Sequence, residues 1–420
     1  MKKLCIVADT YPPKKDGVLT FLRSILPYLK EHYEITLVAP AFSRDKKALS
    51  PDINVILTRY IPIEMANYYP AIPGTRVARA IKNSDIVFVH DLAPLGSSAI
   101  NLARLMNKPL AVFCHHDEAG MLTQAFKLKE RRFVPDRQFS SIIEKIVKKQ
   151  YKAVDIFFVA TSRFYLKLKK LGVEEHKIVF APFAVDTDKF GQGNKTEMKG
   201  KLGIPEKSPV LLYLGRMSHE KNVETIIRAV PLIAERHPEA YFVFAGGGAR
   251  LKGYKALAGK IAPDANIIFT DWVEWDKTPD YYSMADIFLF PSLHETQAFV
   301  TMEAMASELA VIVSKDDIIE HSYYRDGENC LFISESLNER ELAEKASLLI
   351  EDSELRIRLG RAARETMLKV SWQDNADKII SGLRSIEYKE NVPKKLKIKR
   401  LLINKYTGAA LLAYAGTKVI

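Results

Sequence analysis

Short apolar runs rich in valine, isoleucine and phenylalanine alternate with segments of helical periodicity along the first part of the chain. These runs lie at residues 4–8, 34–40, 85–90, 109–115, 155–162 and 177–183. A strand of a parallel sheet is covered by helices on both faces, so it is apolar almost throughout. The alternation predicts one doubly wound, Rossmann-like α/β domain.

A second series of apolar runs predicts a second Rossmann-like domain. These runs lie at residues 210–215, 241–248, 266–273, 286–292 and 309–314. Between the two series, residues 186–205 are polar and contain four glycines, which is typical of a flexible linker. We therefore place the domain boundary near residue 183 and expect a ligand cleft at the carboxyl ends of the strands.

The charge of the chain indicates an anionic partner. Its 420 residues carry a formal net charge of +11, which fits nucleic acid, acidic lipid or a phosphorylated small molecule. The three cysteines, Cys5, Cys114 and Cys330, are widely spaced and match neither a disulfide framework nor a zinc site. No run resembles a secretion signal or a spanning helix, so a cytoplasmic location is expected.

Two glutamates flank a predicted helix start in residues 291–306. Glu295 follows a strand, and Glu303 lies on the first turns of a helix that begins near Phe299. Free amide groups at a helix N-terminus favour a diphosphate, while the carboxylates can accept hydrogen bonds from ribose and sugar hydroxyls. The simpler alternative is that both glutamates only stabilise the helix dipole.

Two cations lie between a predicted strand and the next helix, in residues 215–227. Arg216 and Lys221 can stabilise the negative charge that develops on a departing diphosphate. A solvated basic loop is the alternative interpretation. The position of both residues at the ligand-binding edge of the sheet favours a diphosphate.

Five motifs in order resemble those of the family 4 retaining glycosyltransferases, which have the GT-B fold. They are YPPKKDGVLTF (11–21), GRMSHEKN (215–222), AGGG (245–248), the segment 280–306, and SWQDNADKIISGL (371–383). The resemblance covers nearly the whole chain. It implies a first domain at 1–182, a second at 183–370, a helix at 371–390 that crosses back to the first domain, and a basic amphipathic tail at 391–420.

The resemblance also implies residue roles. Arg216 and Lys221 match the diphosphate-binding pair, Glu303 the ribose-binding carboxylate and Glu295 the donor-sugar carboxylate. Either His115 or His116 matches the histidine that meets the donor sugar, and strand position favours His115. The expected catalytic residues are His115, Arg216, Lys221 and Glu295. The expected donor-binding residues are Gly17, Arg216, Lys221, Gly246, Val273, Glu295, Ala298, Phe299 and Glu303.

Some positions depart from the family pattern. Asp16 and Ala298 each stand where a glycine is usual, and Glu308 and Ala310 replace a usual glycine and proline. A methyl group at Ala298 would lie near the path of the diphosphate. A non-catalytic nucleotide-sugar binder is therefore retained as an alternative to an enzyme.

No metal or cofactor is expected besides the nucleotide sugar. The Asp-x-Asp spacing at 185–188 is that of a metal-binding motif, but its position favours a turn. The glycines at 246–248 lack the full dinucleotide spacing, which disfavours an oxidoreductase.

The segment ETQ at 295–297 resembles the family branch that glycosylates membrane lipids. Basic and apolar residues mix in the tail, and such a segment can bind an anionic bilayer. Further basic stretches lie at 127–132 and 145–152, for which a solvated helix face is the alternative interpretation. No nucleic-acid recognition motif accompanies them. We expect a peripheral enzyme on the cytoplasmic membrane face that moves a hexose from UDP-glucose to a lipid such as diacylglycerol, with a soluble sugar acceptor as the alternative.

Overall fold

A computed structural model describes residues 1–62, 69–90, 92–115, 145–293, 295, 298–315 and 323–387. The chain forms two compact units. The first contains Met1–Ala160, Phe164–Pro182 and the chain from Gln373, and the second contains Thr161–Arg163 and Phe183–Trp372.

The first unit contains a parallel sheet whose strands lie in the order β3-β2-β1-β4-β5-β6-β7. This order reverses between β1 and β4, as in doubly wound folds. The strands are β1 (Lys2–Val7), β2 (Tyr33–Pro40), β3 (Asn54–Thr58), β4 (Ile86–Val89), β5 (Leu110–Cys114), β6 (Ile156–Val159) and β7 (Ile178–Phe180).

The second unit repeats this architecture with the order β10-β9-β8-β11-β12-β13, again parallel throughout the described strands. The sheet order reverses between β8 and β11. The strands are β8 (Val210–Leu214), β9 (Tyr241–Ala245), β10 (Asn266–Asp271), β11 (Ile287–Phe290), β12 (Ala310–Ser314) and β13 (Leu331–Ile333).

Helices connect the strands of both sheets. In the first unit these are α1 (Gly17–Leu29), α2 (Thr75–Asn83) and α3 (Pro94–Leu105), and α4 (Ser162–Lys170) begins in the second unit and continues into the first. The later helices are α5 (Lys195–Lys201), α6 (Val223–Arg236), α7 (Leu251–Ile261), α8 (Thr278–Met284), α9 (Phe299–Ala306), α10 (Glu339–Glu351), α11 (Ser353–Leu368) and α12 (Trp372–Ser385).

The apolar runs correctly predicted the central strands and missed two strands at the sheet edges. Both β3 and β13 lie at an edge of their sheets. In β3 the first residue is exposed, the second and last are buried and the two between them are half-buried, while β13 is buried throughout but only three residues long. Partial exposure interrupts the apolar run of β3, whereas β13 is too short to give a run like those of the other strands. The remaining edge strands, β7 and β10, were predicted because they lie in longer apolar runs.

The composition of residues 186–205 had predicted a flexible linker, and this prediction was wrong. Phe190 and Met198 are buried in the second unit, and α5 lies within the segment. A Cβ atom at Gly193 would lie 2.6 Å from the carbonyl oxygen of Pro279, so this glycine permits close packing. The Asp186 carboxylate accepts the Lys189 amide at 3.0 Å, which confirms the turn predicted for the Asp-x-Asp motif.

From Gln373 onwards, α12 belongs to the first unit. The Asn375 side-chain amide donates to the carbonyl oxygens of Ala181 and Pro182 at 3.0 and 2.7 Å. Glu387, just beyond the helix, accepts hydrogen bonds from Lys2 and Tyr33 at 2.7 and 3.1 Å. These contacts attach the helix to the sheet that begins the chain.

Glu308 occupies a backbone conformation that favours glycine. Its φ is +64°, and it follows α9 in a motif where the amides of Glu308 and Leu309 donate to the carbonyls of Met305 and Ala304, both at 3.1 Å. This position at the end of a helix is usually glycine because a Cβ is strained there. Replacing the family's usual glycine by Glu308 therefore strains the backbone at this position.

We predict that Glu308→Gly raises the free energy of unfolding by about 0.5–1 kcal/mol, because glycine adopts positive φ without strain. Glu308→Ala is the matched control, since it removes the same carboxylate but retains a Cβ. Denaturant unfolding of the full chain measures both variants. An equal gain in the two variants would contradict the strain argument.

Candidate active site

The candidate site is built on the loops that follow β8 and β11. These strands are neighbours at the point where the order of the second sheet reverses. Connections on either side of such a point run in opposite directions, so the carboxyl edge of the sheet opens into a crevice there. The loop after β8 carries Arg216 and Lys221, and the loop after β11 carries Glu295.

The glycine turn after β9 supports the loop after β8. Gly246 has φ +135°, and a Cβ at this position would collide with the carbonyl oxygen of Gly215. The amide of Met217 donates to the Gly247 carbonyl at 2.8 Å. Only a glycine allows these two backbone segments to approach this closely. Packing therefore explains why residue 246 is glycine, without reference to any ligand.

Arg216 lies half-exposed at the start of the loop. Its guanidinium is 3.8 Å from the Glu220 carboxylate, which also accepts the Ser218 hydroxyl at 2.7 Å. The buried Tyr213 hydroxyl donates to the Arg216 carbonyl at 2.8 Å. Burial raises the pKa of Glu220, but the Ser218 hydrogen bond, a backbone amide and the charges of Arg216 and Lys221 bring the net pKa below its ordinary value.

Lys221 and Glu295 form a largely buried ion pair between the two loops. The ammonium nitrogen lies 2.5 Å from Glu295 Oε1, and the two side chains are 19% and 7% exposed. Ser292 Oγ lies 2.7 Å from the same carboxylate oxygen and 2.9 Å from the Glu220 carbonyl oxygen. The Leu293 amide also donates to this carbonyl at 2.9 Å, so the loops are joined by main chain as well as by charge.

Asn222 fixes the end of the β8 loop. It is buried in the left-handed region at φ +53°. Its side-chain amide donates to the carbonyl oxygens of Pro291 and Ser336 at 2.9 and 2.5 Å, and Thr225 donates to its Oδ1 at 2.9 Å. Asparagine tolerates this conformation better than most residues, and α6 begins at the next residue.

The helix α9 begins at Phe299, as the sequence predicted. Its capping residue Ala298 is buried and offers no side-chain acceptor to the first amides. Ala298 has φ −79°, an ordinary conformation for alanine. The Phe299 ring stacks on Phe183 with a centroid distance of 4.9 Å and on Trp372 at 6.2 Å, so this side chain packs against aromatic residues.

Glu303 is a buried carboxylate on α9. The Tyr282 hydroxyl donates to Glu303 Oε2 at 2.8 Å, and Trp275 is a second hydrogen-bonding partner. Burial raises the pKa of Glu303 to about 7, although the Tyr282 hydrogen bond, the charge of Lys189 and the Trp275 hydrogen bond act in the opposite direction. The Lys189 ammonium lies over the Trp275 ring, 2.9 Å from its centroid.

The segment after β10 carries Val273. Asp271 has φ +63°, Trp272 is 48% exposed and Val273 is half-buried. A Cβ at Gly247 would overlap the Trp272 ring. Val273 therefore follows a turn that is packed against the same glycine segment that supports the β8 loop.

The first unit places the other expected residues at the carboxyl edge of its own sheet. Gly17 begins α1 and is exposed, and the Asp16 carboxylate caps that helix by accepting the Leu19 amide at 2.9 Å. His115 follows β5, is 4% exposed, and has its Nε2 3.0 Å from His90 Nδ1. His116 lies outside the described residues.

Two family models match consecutive parts of the chain. "Glycosyltransferase Family 4" matches residues 15–189, and "Glycosyl transferases group 1" matches residues 194–366. The chain belongs to the family 4 glycosyltransferases.

Curated relatives of this glycosyltransferase include enzymes named for lipid substrates. It is 23% identical over 343 residues to the alpha-monoglucosyldiacylglycerol synthase of Acholeplasma laidlawii, covering 80% of this chain and 85% of the relative. It is 25% identical to the enzyme of the same name from Streptococcus pneumoniae, covering 82% and 81%. A GDP-mannose-dependent phosphatidylinositol monomannoside mannosyltransferase of Mycolicibacterium smegmatis is 25% identical, covering 69% and 72%.

Solved structures share the GT-B fold with this glycosyltransferase. HepE of Anabaena in complex with UDP has a TM-score of 0.72 at 14% identity, covering 91% of this chain and all of that one. WaaG, a glycosyltransferase involved in lipopolysaccharide biosynthesis, has a TM-score of 0.67 at 16% identity, covering 91% and 99%. At these identities the likeness concerns the fold.

The structure adds residues that the sequence analysis did not select. Asn222 and Tyr282 lie within motifs that carried the resemblance, so their motif positions were a usable signal. Ser292 also lies within the segment 280–306, and Trp275 precedes that segment by five positions. Lys189 had no signal, because it precedes the second sheet by some twenty residues and reaches Trp275 only through tertiary packing.

We predict that Glu303 destabilises the folded glycosyltransferase increasingly as the pH rises from acid to neutral. Its folded pKa of about 7 exceeds the ordinary 4.5, so the free energy of unfolding falls as pH rises from 4.5 to 7. Glu303→Gln lacks this titration. Relative to the variant, the wild type should lose roughly 2–3 kcal/mol between pH 5 and pH 8.

Thermal unfolding at both pH values measures this difference. The exposed Glu344 on α10 provides the matched control, because Glu344→Gln makes the same chemical change on a solvated helix face. A difference between Glu303→Gln and wild type that is independent of pH would contradict the prediction.

Proposed function

We propose that this glycosyltransferase moves a hexose from a nucleotide-sugar donor to a membrane lipid, with retention at the anomeric carbon. UDP-glucose is the proposed donor, and diacylglycerol represents the proposed acceptor class. The observation that carries the proposal is the Lys221–Glu295 ion pair, which lies where the order of the second sheet reverses. Glu295 is four residues before Phe299, the first residue of α9.

The cations and the helix support the diphosphate part of the proposal. Arg216 is half-exposed, and its neighbour Glu220 is shared with Ser218, so the guanidinium can turn to an incoming phosphate. The first amides of α9 receive no side-chain cap from Ala298. Unsatisfied amides at a helix N-terminus and a nearby arginine together attract an anion.

The environment of Glu303 supports recognition of the ribose. A carboxylate can accept about four hydrogen bonds, and Tyr282 and Trp275 account for two of them. The remaining lone pairs can accept the two ribose hydroxyls. A carboxylate kept buried at a raised pKa is costly to the fold, and such costs concentrate at functional sites.

The proposed reaction needs no protein nucleophile and no metal ion. The bond between the anomeric carbon and the diphosphate oxygen breaks, and a bond to the acceptor oxygen forms on the same face of the sugar. A donor phosphate oxygen takes the acceptor proton. Arg216 and Lys221 stabilise the departing diphosphate, Glu295 binds sugar hydroxyls, and His115 and Gly17 are further proposed donor-binding residues.

The named relatives and a basic surface support a lipid acceptor. Relatives at 23–25% identity are named as glucosyldiacylglycerol synthases. In the first unit, two lysine-rich segments lie close together, since Lys148 Nζ is 4.0 Å from the Cβ position of Gly172, and Leu166 is exposed in the second of them. We call the lysines of these two segments the basic face. The lysines of this basic face are Lys145, Lys148, Lys149, Lys152, Lys167, Lys169 and Lys170.

Peripheral attachment on the cytoplasmic membrane face is part of the proposal. No helix in the described ranges is long and apolar enough to cross a bilayer. Basic residues near an anionic surface contribute about 1 kcal/mol each, and an apolar side chain among them can enter the headgroup region. The basic stretch at 127–132 and the tail at 391–420 lie outside the described residues.

We predict that Arg216→Gln lowers turnover on the order of 100-fold, because it removes a cation from the departing diphosphate. Arg228→Gln is the matched control, since Arg228 is also a half-exposed arginine paired with a glutamate four positions away. Labelled UDP-glucose, UDP-galactose and GDP-mannose are incubated separately with membrane lipids. The label that enters the organic phase is counted.

Each outcome of this assay decides among the proposals. Organic-phase label that requires Arg216 but not Arg228 supports the lipid transferase and identifies the donor. Label that enters only a water-soluble acceptor would favour the soluble-acceptor alternative. Donor binding without transfer to either phase would favour the non-catalytic binder.

We predict that Lys148→Glu with Lys170→Glu weakens binding to vesicles containing anionic lipid by about 10- to 30-fold. Lys252→Glu with Lys260→Glu is the control, because it makes the same change in net charge on exposed positions of α7 in the second unit. Vesicle sedimentation measures binding, and a chain lacking residues 391–420 measures the contribution of the tail. Equal effects of the two double variants would contradict a role for the basic face.

A further inference from the structure

The first unit contains a histidine pair at the carboxyl edge of its sheet. His90 follows β4, His115 follows β5, and these strands are neighbours in the sheet. His90 Nδ1 and His115 Nε2 are 3.0 Å apart, within hydrogen-bonding distance. One of the two nitrogens therefore donates and the other accepts.

His90 is enclosed by the protein. Its side chain is fully buried, and its ring lies 4.3 Å from that of Phe88 and 5.5 Å from that of Phe21. Burial lowers the pKa of His90 to about 3, so the ring is neutral at physiological pH. Its Nε2 has no hydrogen-bond partner among the described residues, which leaves the contact with His115 as its identified polar interaction.

The pairing constrains His115 in two ways. It fixes the rotation of the His115 ring, which also stacks on Phe113 at a centroid distance of 4.5 Å. It also occupies Nε2, so a ligand cannot use that nitrogen. The hydrogen bond made by one ring nitrogen determines whether the other nitrogen carries a proton. The contact with His90 therefore determines both the orientation of the His115 ring and the protonation of its Nδ1.

We propose that His90 is a positioning residue for His115, acting through the hydrogen bond between His90 Nδ1 and His115 Nε2. This inference rests on the proposed function, in which His115 meets the donor sugar. His90 itself does not contact the donor. Its role is to hold His115 in the orientation that the transfer step requires.

Two variants separate the hydrogen bond from the packing. Asparagine at position 90 carries a polar group close to the position of Nδ1 but is smaller, so it leaves a space beside Phe88. Leucine at position 90 fills a similar volume but cannot form the hydrogen bond. A positioning role predicts that turnover follows the hydrogen bond, while stability follows the packing.

We expect His90→Leu to lower kcat about 10- to 100-fold with little change in the KM for the donor, because a misplaced group near the reaction centre costs rate. His90→Asn should retain most of the turnover although it unfolds more readily than His90→Leu. His237→Leu, at another buried histidine in the second unit, should affect stability alone. Equal kcat in His90→Leu and wild type, or a kcat that follows stability in both variants, would overturn the inference.

Nitrogen-15 spectra of histidine-labelled protein test the pairing without any substrate. The His115 Nε2 resonance, assigned with His115→Asn, should move in His90→Leu and remain closer to the wild-type position in His90→Asn. An unchanged resonance in His90→Leu would contradict the hydrogen bond. If the wild type transfers no sugar to any acceptor, the proposed function fails, and these spectra alone decide whether His90 holds His115.

Discussion

The ion pair between Lys221 and Glu295 is the interaction on which the candidate site depends. It joins the loop between β8 and α6 to the loop between β11 and α9, and β8 and β11 are adjacent strands. Ser292 contacts both the Glu295 carboxylate and the Glu220 carbonyl, so the pair is part of a network. Removing one member of a buried pair leaves the other charge unpaired, at a cost of about 3–5 kcal/mol.

A buried ion pair is a poor way to gain stability, because apolar residues of similar volume often stabilise as well or better. The same reasoning applies to Glu303, whose charge is opposed by burial and supported by Tyr282, Trp275 and Lys189. Both features place charged groups at the edge of one sheet and lower the free energy of unfolding. Such a loss of stability is expected at a site that binds a charged ligand.

The sequence predicted the fold well where a strand lay in a long apolar run. The central strands of both sheets are apolar on both faces, so their runs were identified without the structure. The strand β3 was missed because partial exposure interrupts its run, and β13, although buried, was missed because it has only three residues. The segment 186–205 was misinterpreted because glycines that permit close packing, such as Gly193, have the same composition as glycines in a flexible linker.

The sequence by itself determined the two Rossmann-like domains and the helix start at Phe299, and it singled out Arg216, Lys221, Glu295 and Glu303 as candidate site residues. Local pattern and motif order were sufficient for these features, because each depends on residues close in the chain. Only the tertiary structure showed that Lys221 pairs with Glu295, that Tyr282 and Lys189 interact with Glu303, and that His90 lies within hydrogen-bonding distance of His115. Those contacts join residues 21 to 114 positions apart, and spacing along the chain carries no information about which distant side chains the parallel strands bring to the same edge.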